Sequence, residues 1–184
     1  MSSRDLMLLE KLKGGDDTAF KEIFNLYYMP LCVYSLKYCD SFQIAEDVVQ
    51  ELFVKLWDEK IYMKFEGAMA PYLFKAIKNN TFQLMKRRLK YQFEEIDHHV
   101  SVLMEEDNLD TSSFEENKMK LYKEIEALPE KSKEVFKAIV LQNMKYKETA
   151  EYLGVSVNTV KTHYSRALKQ LRGSLDVIIM LLLV

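Results

Sequence analysis

The side chains between Lys147 and Arg172, in the run KETAEYLGVSVNTVKTHYSRALKQLR, suit recognition rather than covalent chemistry. On a 100° wheel Asn158, Lys161, Thr162, Ser165, Arg166, Lys169 and Arg172 share one arc, which carries four positive charges and no acid. Amides, hydroxyls and cations in that pattern suit a helix laid in the major groove of duplex DNA, where they meet base edges and phosphates. The plainer alternative is a pair of packed helices with a solvated basic face.

The opposite arc, Val160, Tyr164, Ala167, Leu168 and Leu171, is apolar and needs a partner helix. Ala150 is small where two helices would cross, and Gly154 can take the positive torsion of a turn. Ser156 can accept from the free backbone N–H groups that open the second helix. Together these predict a helix-turn-helix.

The chain of 184 residues, 48% apolar, is long enough for one large or two small packed domains. Three prolines, five glycines and a 3.6-residue apolar period predict an all-α protein. A stop at Gly14 and Gly15 and a cap at Asp16 or Asp17 precede a helix burying Phe20, Ile23, Phe24, Tyr27, Leu31 and Tyr34, which Pro30 should kink or split. A third helix should run from Asp40 or Ser41 to about Ile61. On it Ala45, Val48, Val49, Leu52, Phe53 and Leu56 face inward, with Glu46, Asp47, Gln50, Glu51 and Asp58 outward. Tyr62 to Pro71 reads as a loop, and Tyr72 to Lys90 as a helix.

The net charge of −2 conceals segregation: Lys64 to Lys90 has seven Lys and Arg against one acid, and Tyr91 to Asn117 nine acids and no Lys or Arg. The acidic run, weak in periodicity, reads as a tether. Beyond it, Ser112 with Glu115 or Ser113 with Glu116 would cap a helix carrying Leu121, Tyr122, Ile125 and Leu128, and Pro129 would begin the next. The expected organisation is a first helical domain over 1–92, a linker over 93–113, a helix-turn-helix domain over 114–173 and an apolar tail over 174–184.

Several segments together carry a resemblance: DDTAFKEIFNLYY, IAEDVVQELFVKLW, APYLFKAIKNNTFQLMKRR, LPEKSKEVF and the helix-turn-helix, in order along the chain. The sequence resembles the extracytoplasmic-function sigma factors of the sigma-70 superfamily. That resemblance implies two small helical domains joined by an acidic flexible linker, and core RNA polymerase and promoter DNA, duplex and melted, as partners. Glu46, Asp47, Gln50, Glu51 and Trp57 would then meet the polymerase. Lys64, Phe65, Tyr72, Lys75, Lys78, Asn79, Lys86, Arg87 and Arg88 would serve the melted minus-ten element, with Tyr72 equally readable as core. Ser156, Asn158, Thr159, Lys161, Thr162, Ser165, Arg166, Lys169 and Arg172 would serve the minus-thirty-five duplex. An anti-sigma factor, membrane-bound or free, is implied as a further partner. Thr149 stands where the family usually has an aliphatic residue, Lys145 where a capping Ser or Thr is common, and Gln83 where Asp is usual.

The rival reading is a dimeric helix-turn-helix regulator that ignores the polymerase. An enzyme is disfavoured: His98, His99 and His163 have no ligand-spaced companions and no Gly-rich phosphate loop occurs, so no metal, cofactor or small-molecule substrate is expected. Cys32 and Cys39 read as reduced, packed thiols, and Met1 to Lys13 lacks a signal pattern, which together suggest the cytoplasm. The run Val177 to Val184 would reach only about 12 Å as a helix, against about 30 Å of hydrocarbon. It should fold back on the last domain or serve as a handle for a partner.

Overall fold

The computed structural model describes residues 3–92 and 114–183, which are helical with no strand among them. The expected linker, the cap at Ser112 or Ser113, and His98 and His99 lie outside the described residues. α1 (Ser3–Lys13) stops at Gly14 and Gly15, and Gly15 takes φ 91°. Asp16 caps α2 (Asp17–Ser35), its carboxylate accepting from the Thr18 N–H at 3.0 Å. Of the two outcomes expected at Pro30, the split does not occur: the ring lies buried within a continuous α2.

α3 (Phe42–Asp58) is capped by Ser41, whose Oγ accepts from the Ile44 N–H at 3.4 Å. It stops short of Ile61, and a 3₁₀ turn (Ile61–Lys64) follows, entered through Lys60 at φ 47°. The expected loop therefore begins with a helical turn. α4 (Ala70–Gln92) takes Pro71 into its first turn, where the missing N–H is harmless.

In the second half, α5 (Phe114–Glu126) buries Leu121 and Ile125, while Tyr122 is 41% exposed. Pro129 precedes α6 (Glu130–Phe136), which passes into a π-helical turn (Lys137–Leu141) carrying Ile139 and Val140 into the core. α7 (Tyr146–Leu153) lacks a hydroxyl cap at Lys145. Instead the Glu148 carboxylate accepts from the Lys145 N–H at 2.8 Å, recovering one of the open donors. α8 (Val157–Gln170) leads through a 3₁₀ turn (Arg172–Ser174) into α9 (Leu175–Leu183).

α2 is the central element, packed against α1, α3, α4 and α9. The last of these extends the expectation that the tail folds back on the last domain. α9 also touches α5 and the π-helical turn, so it lies between the halves, with Leu175, Val177, Ile178 and Ile179 buried. Such apolar side chains gain about 1.5–3 kcal/mol each by leaving water. The buried apolar residues consequently form one contiguous core running from Leu8 to Ile179. Cys32 and Cys39 are both free and buried within it.

Candidate nucleic-acid interface

Two features build the helix-turn-helix. Gly154 ends α7 at φ 64° and ψ 35°, a left-handed conformation that costs residues with a Cβ about 1–2 kcal/mol. Ser156 then caps α8, its Oγ accepting from the Thr159 N–H at 3.0 Å. The same Oγ lies 2.8 Å from the Thr159 hydroxyl, so both side chains are engaged at the helix start. Val160, Tyr164, Ala167, Leu168 and Leu171 are all buried, the arc the wheel assigned. Ala150, 6% exposed, lies at the crossing.

The opposite arc is not uniform. Asn158, Thr162, Arg166 and Lys169 are exposed and Ser165 is half-buried. Lys161 and Arg172 turn toward the first half of the chain instead. Lys161 Nζ donates to Glu46 Oε2 at 3.1 Å and lies 5.5 Å from the Tyr146 ring centroid. Arg172 pairs with Asp40. Around these pairs, Phe42 meets Tyr164 edge to face at 5.4 Å, and the Tyr146 hydroxyl donates to Met29 Sδ at 3.8 Å. Lys37 and Asp176 form a third ion pair at 3.1 Å.

This closure changes the outward face of α3. Asp47, Gln50, Glu51 and Trp57 are exposed as expected, but Glu46 is only 1% exposed. Glu46 lies where the halves meet, between Tyr28 of α2 and Lys161 of α8. Its carboxylate accepts from Lys161 and from the Tyr28 hydroxyl at 3.0 Å, and that hydroxyl accepts from Gln50 at 3.3 Å. A charge so deeply placed requires such donors.

Beside the exposed acids lies an apolar groove of about 390 Å³, lined by Phe20, Phe24, Gln50, Phe53, Val54, Trp57 and Asp58. Phe20 stands 4.7 Å from Trp57, and Phe24 4.9 Å from Phe53, measured between ring centroids. The periodicity of α2 placed Phe20 and Phe24 in the core. They are instead half-buried, with one side of each ring on the groove.

On α4, Tyr72, Lys75, Asn79 and Lys86 fall on one side of the helix and are exposed. Lys78 and Arg87 flank that side, and Arg88 projects toward the side occupied by Leu73, Ile77 and Thr81. Lys78 Nζ lies 5.7 Å from the Tyr38 ring centroid. Tyr72 is 37% exposed and tilts against Phe65 at 4.8 Å, whereas Phe74 packs edge-on to Tyr34 at 5.0 Å in the core. Phe65 is held in turn by Lys13, which donates to its carbonyl. Lys64 is exposed on the 3₁₀ turn that approaches this face.

His163 Nδ1 lies 3.3 Å from the Ser132 Oγ, tying α8 to α6. Among the described residues no group of three or more His, Cys, Asp or Glu is placed to hold a metal ion. No helix among them is long and apolar enough to cross a membrane.

A capped basic helix crossing a short partner over a left-handed glycine defines a helix-turn-helix protein. Residues 118–171, from within α5 through α8, match the family described as Sigma-70, region 4. Over 166 residues the chain is 20% identical to the RNA polymerase sigma factor YlaC of Bacillus subtilis (strain 168), spanning 85% of this chain and 92% of that protein. Residues 118–171 are thus a sigma-70 region 4 segment, in a chain similar over most of its length to an RNA polymerase sigma factor. Among solved structures, CnrH in complex with the cytosolic domain of CnrY aligns at 21% identity with a TM-score of 0.40, covering 95% of this chain and 98% of that one. The sigma factor RpoE in complex with the anti-sigma factor NepR, from Bartonella quintana, aligns at 21% identity with a TM-score of 0.35, covering 85% and 96%.

Proposed function

We propose that this chain is a promoter-specificity subunit that docks on core RNA polymerase through α3, reads a duplex element through α8 and holds melted DNA on α4. The observation that carries this reading is α8 itself. Its apolar arc is sealed, while Asn158, Thr162, Arg166 and Lys169 face outward within the region-4 segment. One good bidentate base contact from such a helix contributes about 1–3 kcal/mol of discrimination.

The remaining surfaces support complementary roles. Asp47, Gln50 and Glu51 give α3 an exposed polar, acidic edge beside Trp57 and the aromatic groove, which combines steering by charge with an apolar anchor. On α4, Tyr72 with Phe65 offers a stacking surface for an unpaired base, with Lys75, Asn79 and Lys86 along the same side for the strand. The acidic linker expected over 93–113 would span the two DNA elements. An anti-sigma factor, if it holds this chain, would compete for the same surfaces.

The decisive experiment is transcription in vitro from genomic DNA with purified core polymerase, with and without this protein. New, discrete start sites are expected only when it is added. Asp47→Ala combined with Glu51→Ala should weaken holoenzyme formation while helicity is retained, and Arg166→Ala should lower promoter-specific initiation with core binding intact. Start sites unchanged by adding the protein would overturn the reading.

A further inference from the structure

The most apolar segment of the chain is neither free nor confined to its own half. α9 lies along α2, with Leu175, Val177, Ile178 and Ile179 buried and Asp176 paired with Lys37 of the first half at 3.1 Å. Just before it, Arg172 is paired with Asp40, and one face further along, Lys161 of α8 enters the pocket of Glu46. Of the four cations on the reading arc, Lys161 of α8 and Arg172 of the turn after it are thus paired with acids of the first half. The same contacts bury one of the acids that the docking surface of α3 would present. Lys161 and Glu46 therefore cover one another at the edge of the two surfaces, whose other members stay largely exposed, and α9 is the apolar seam that holds the halves together.

We propose that α9 is an intramolecular latch. Seated on α2, it keeps the chain closed, with Lys161 and Arg172 held by Glu46 and Asp40; released from α2, it lets the halves part and frees both cations for phosphate. The occupant of this face of α2 is the chain's own α9. This regulation rests on the reading of α8 as a duplex-binding helix, but the closure itself can be measured without DNA or polymerase.

The test uses the full-length chain with labels on cysteines introduced for Glu22 and Glu151, exposed positions in the two halves, the native Cys32 and Cys39 being buried. The wild type should give one short, narrow distance distribution. Ile178→Asp with Ile179→Asp should lengthen and broaden it while helicity in circular dichroism persists. With a short random-sequence duplex as probe, the opened variant should show a salt dependence of log K steeper by about 2, the release expected from two added phosphate contacts.

An unchanged distance in a helical variant overturns the latch, as does a lengthened distance with an unchanged salt slope. Should the double substitution cost helicity, Asp176→Lys decides: the latch requires that it lengthen the distance and that adding Lys37→Glu restore it, and no change overturns it. An opened chain that still fails to bind core polymerase would refute the sigma reading and leave the latch standing. A chain that never opens yet forms holoenzyme would do the reverse.

Discussion

Lys161 and Glu46, 115 residues apart in the chain, meet at 3.1 Å, and the carboxylate they share with Tyr28 is 2% exposed at its side chain. The pair links the helix that bears the base-reading side chains to the helix that bears the acidic docking edge. Because Lys161 itself is 35% exposed, its own desolvation is modest and most of the burial falls on Glu46.

Removing only the cation should therefore be costly. Lys161→Met is expected to lower stability by about 1–3 kcal/mol, since it strands a buried carboxylate with one neutral donor. Adding Glu46→Met should return most of that loss, because an apolar pair of similar volume carries no stranded charge. Urea midpoints of the two single variants and the double variant check this, and three additive losses would refute it.

The turn of the helix-turn-helix makes a second, local prediction. Ser156→Ala should cost about 1 kcal/mol by opening the first turn of α8. Gly154→Ala should cost about 1–2 kcal/mol because φ is 64°, even though nothing stands within 4 Å of the added methyl. Thermal melts separate strain from collision here: a loss at Gly154 arises from the backbone alone.

Thr149 lies fully buried in α7 with its hydroxyl lacking a protein partner. Thr149→Val keeps the shape and removes the hydroxyl, so it should stabilise the chain by about 1 kcal/mol. A shift of the urea midpoint to lower concentration would show that the hydroxyl is satisfied in solution.

Alkaline pH should unfold the protein. Burial, first among the causes, pushes up the phenols of Tyr27, Tyr28, Tyr146 and Tyr164 and the thiols of Cys32 and Cys39. The native chain thus keeps protons that the unfolded chain releases around the ordinary values of 9.0 for a thiol and 10.0 for a phenol. Stability should hold from neutral pH up to the first value and fall above it, by about 1.4 kcal/mol per pH unit for each group fully ionised only when unfolded. Urea titrations on either side of this window test the sign, and a flat profile would contradict it.

Most of the local structure was legible. Ser156 announced its helix as a cap, the structure chose Asp16 over Asp17 and Ser41 over Asp40, Gly154 announced the turn, and the wheel of α8 sorted buried from outward residues because helical period and burial agree there. Periodicity alone did not settle three things. The split that Pro30 allowed does not occur in a helix packed against α1, α3, α4 and α9. Phe20 and Phe24 follow the apolar period but lie at its edge, where the core gives way to a groove. The burial of Glu46 and the seat of α9 depend on contacts between segments more than a hundred residues apart, which no local pattern encodes. At Lys145 the hydroxyl that would accept from the N–H groups opening α7 is missing, and Glu148 satisfies a different donor, the Lys145 N–H.

The unbroken run of buried side chains from Leu8 to Ile179 has a thermodynamic consequence. Two modules that merely shared a tether would melt separately, each with its own midpoint. Joined through α9, they should melt as one cooperative unit with coincident calorimetric and van't Hoff enthalpies, so that heat reads out whether the molecule is a single body or a pair.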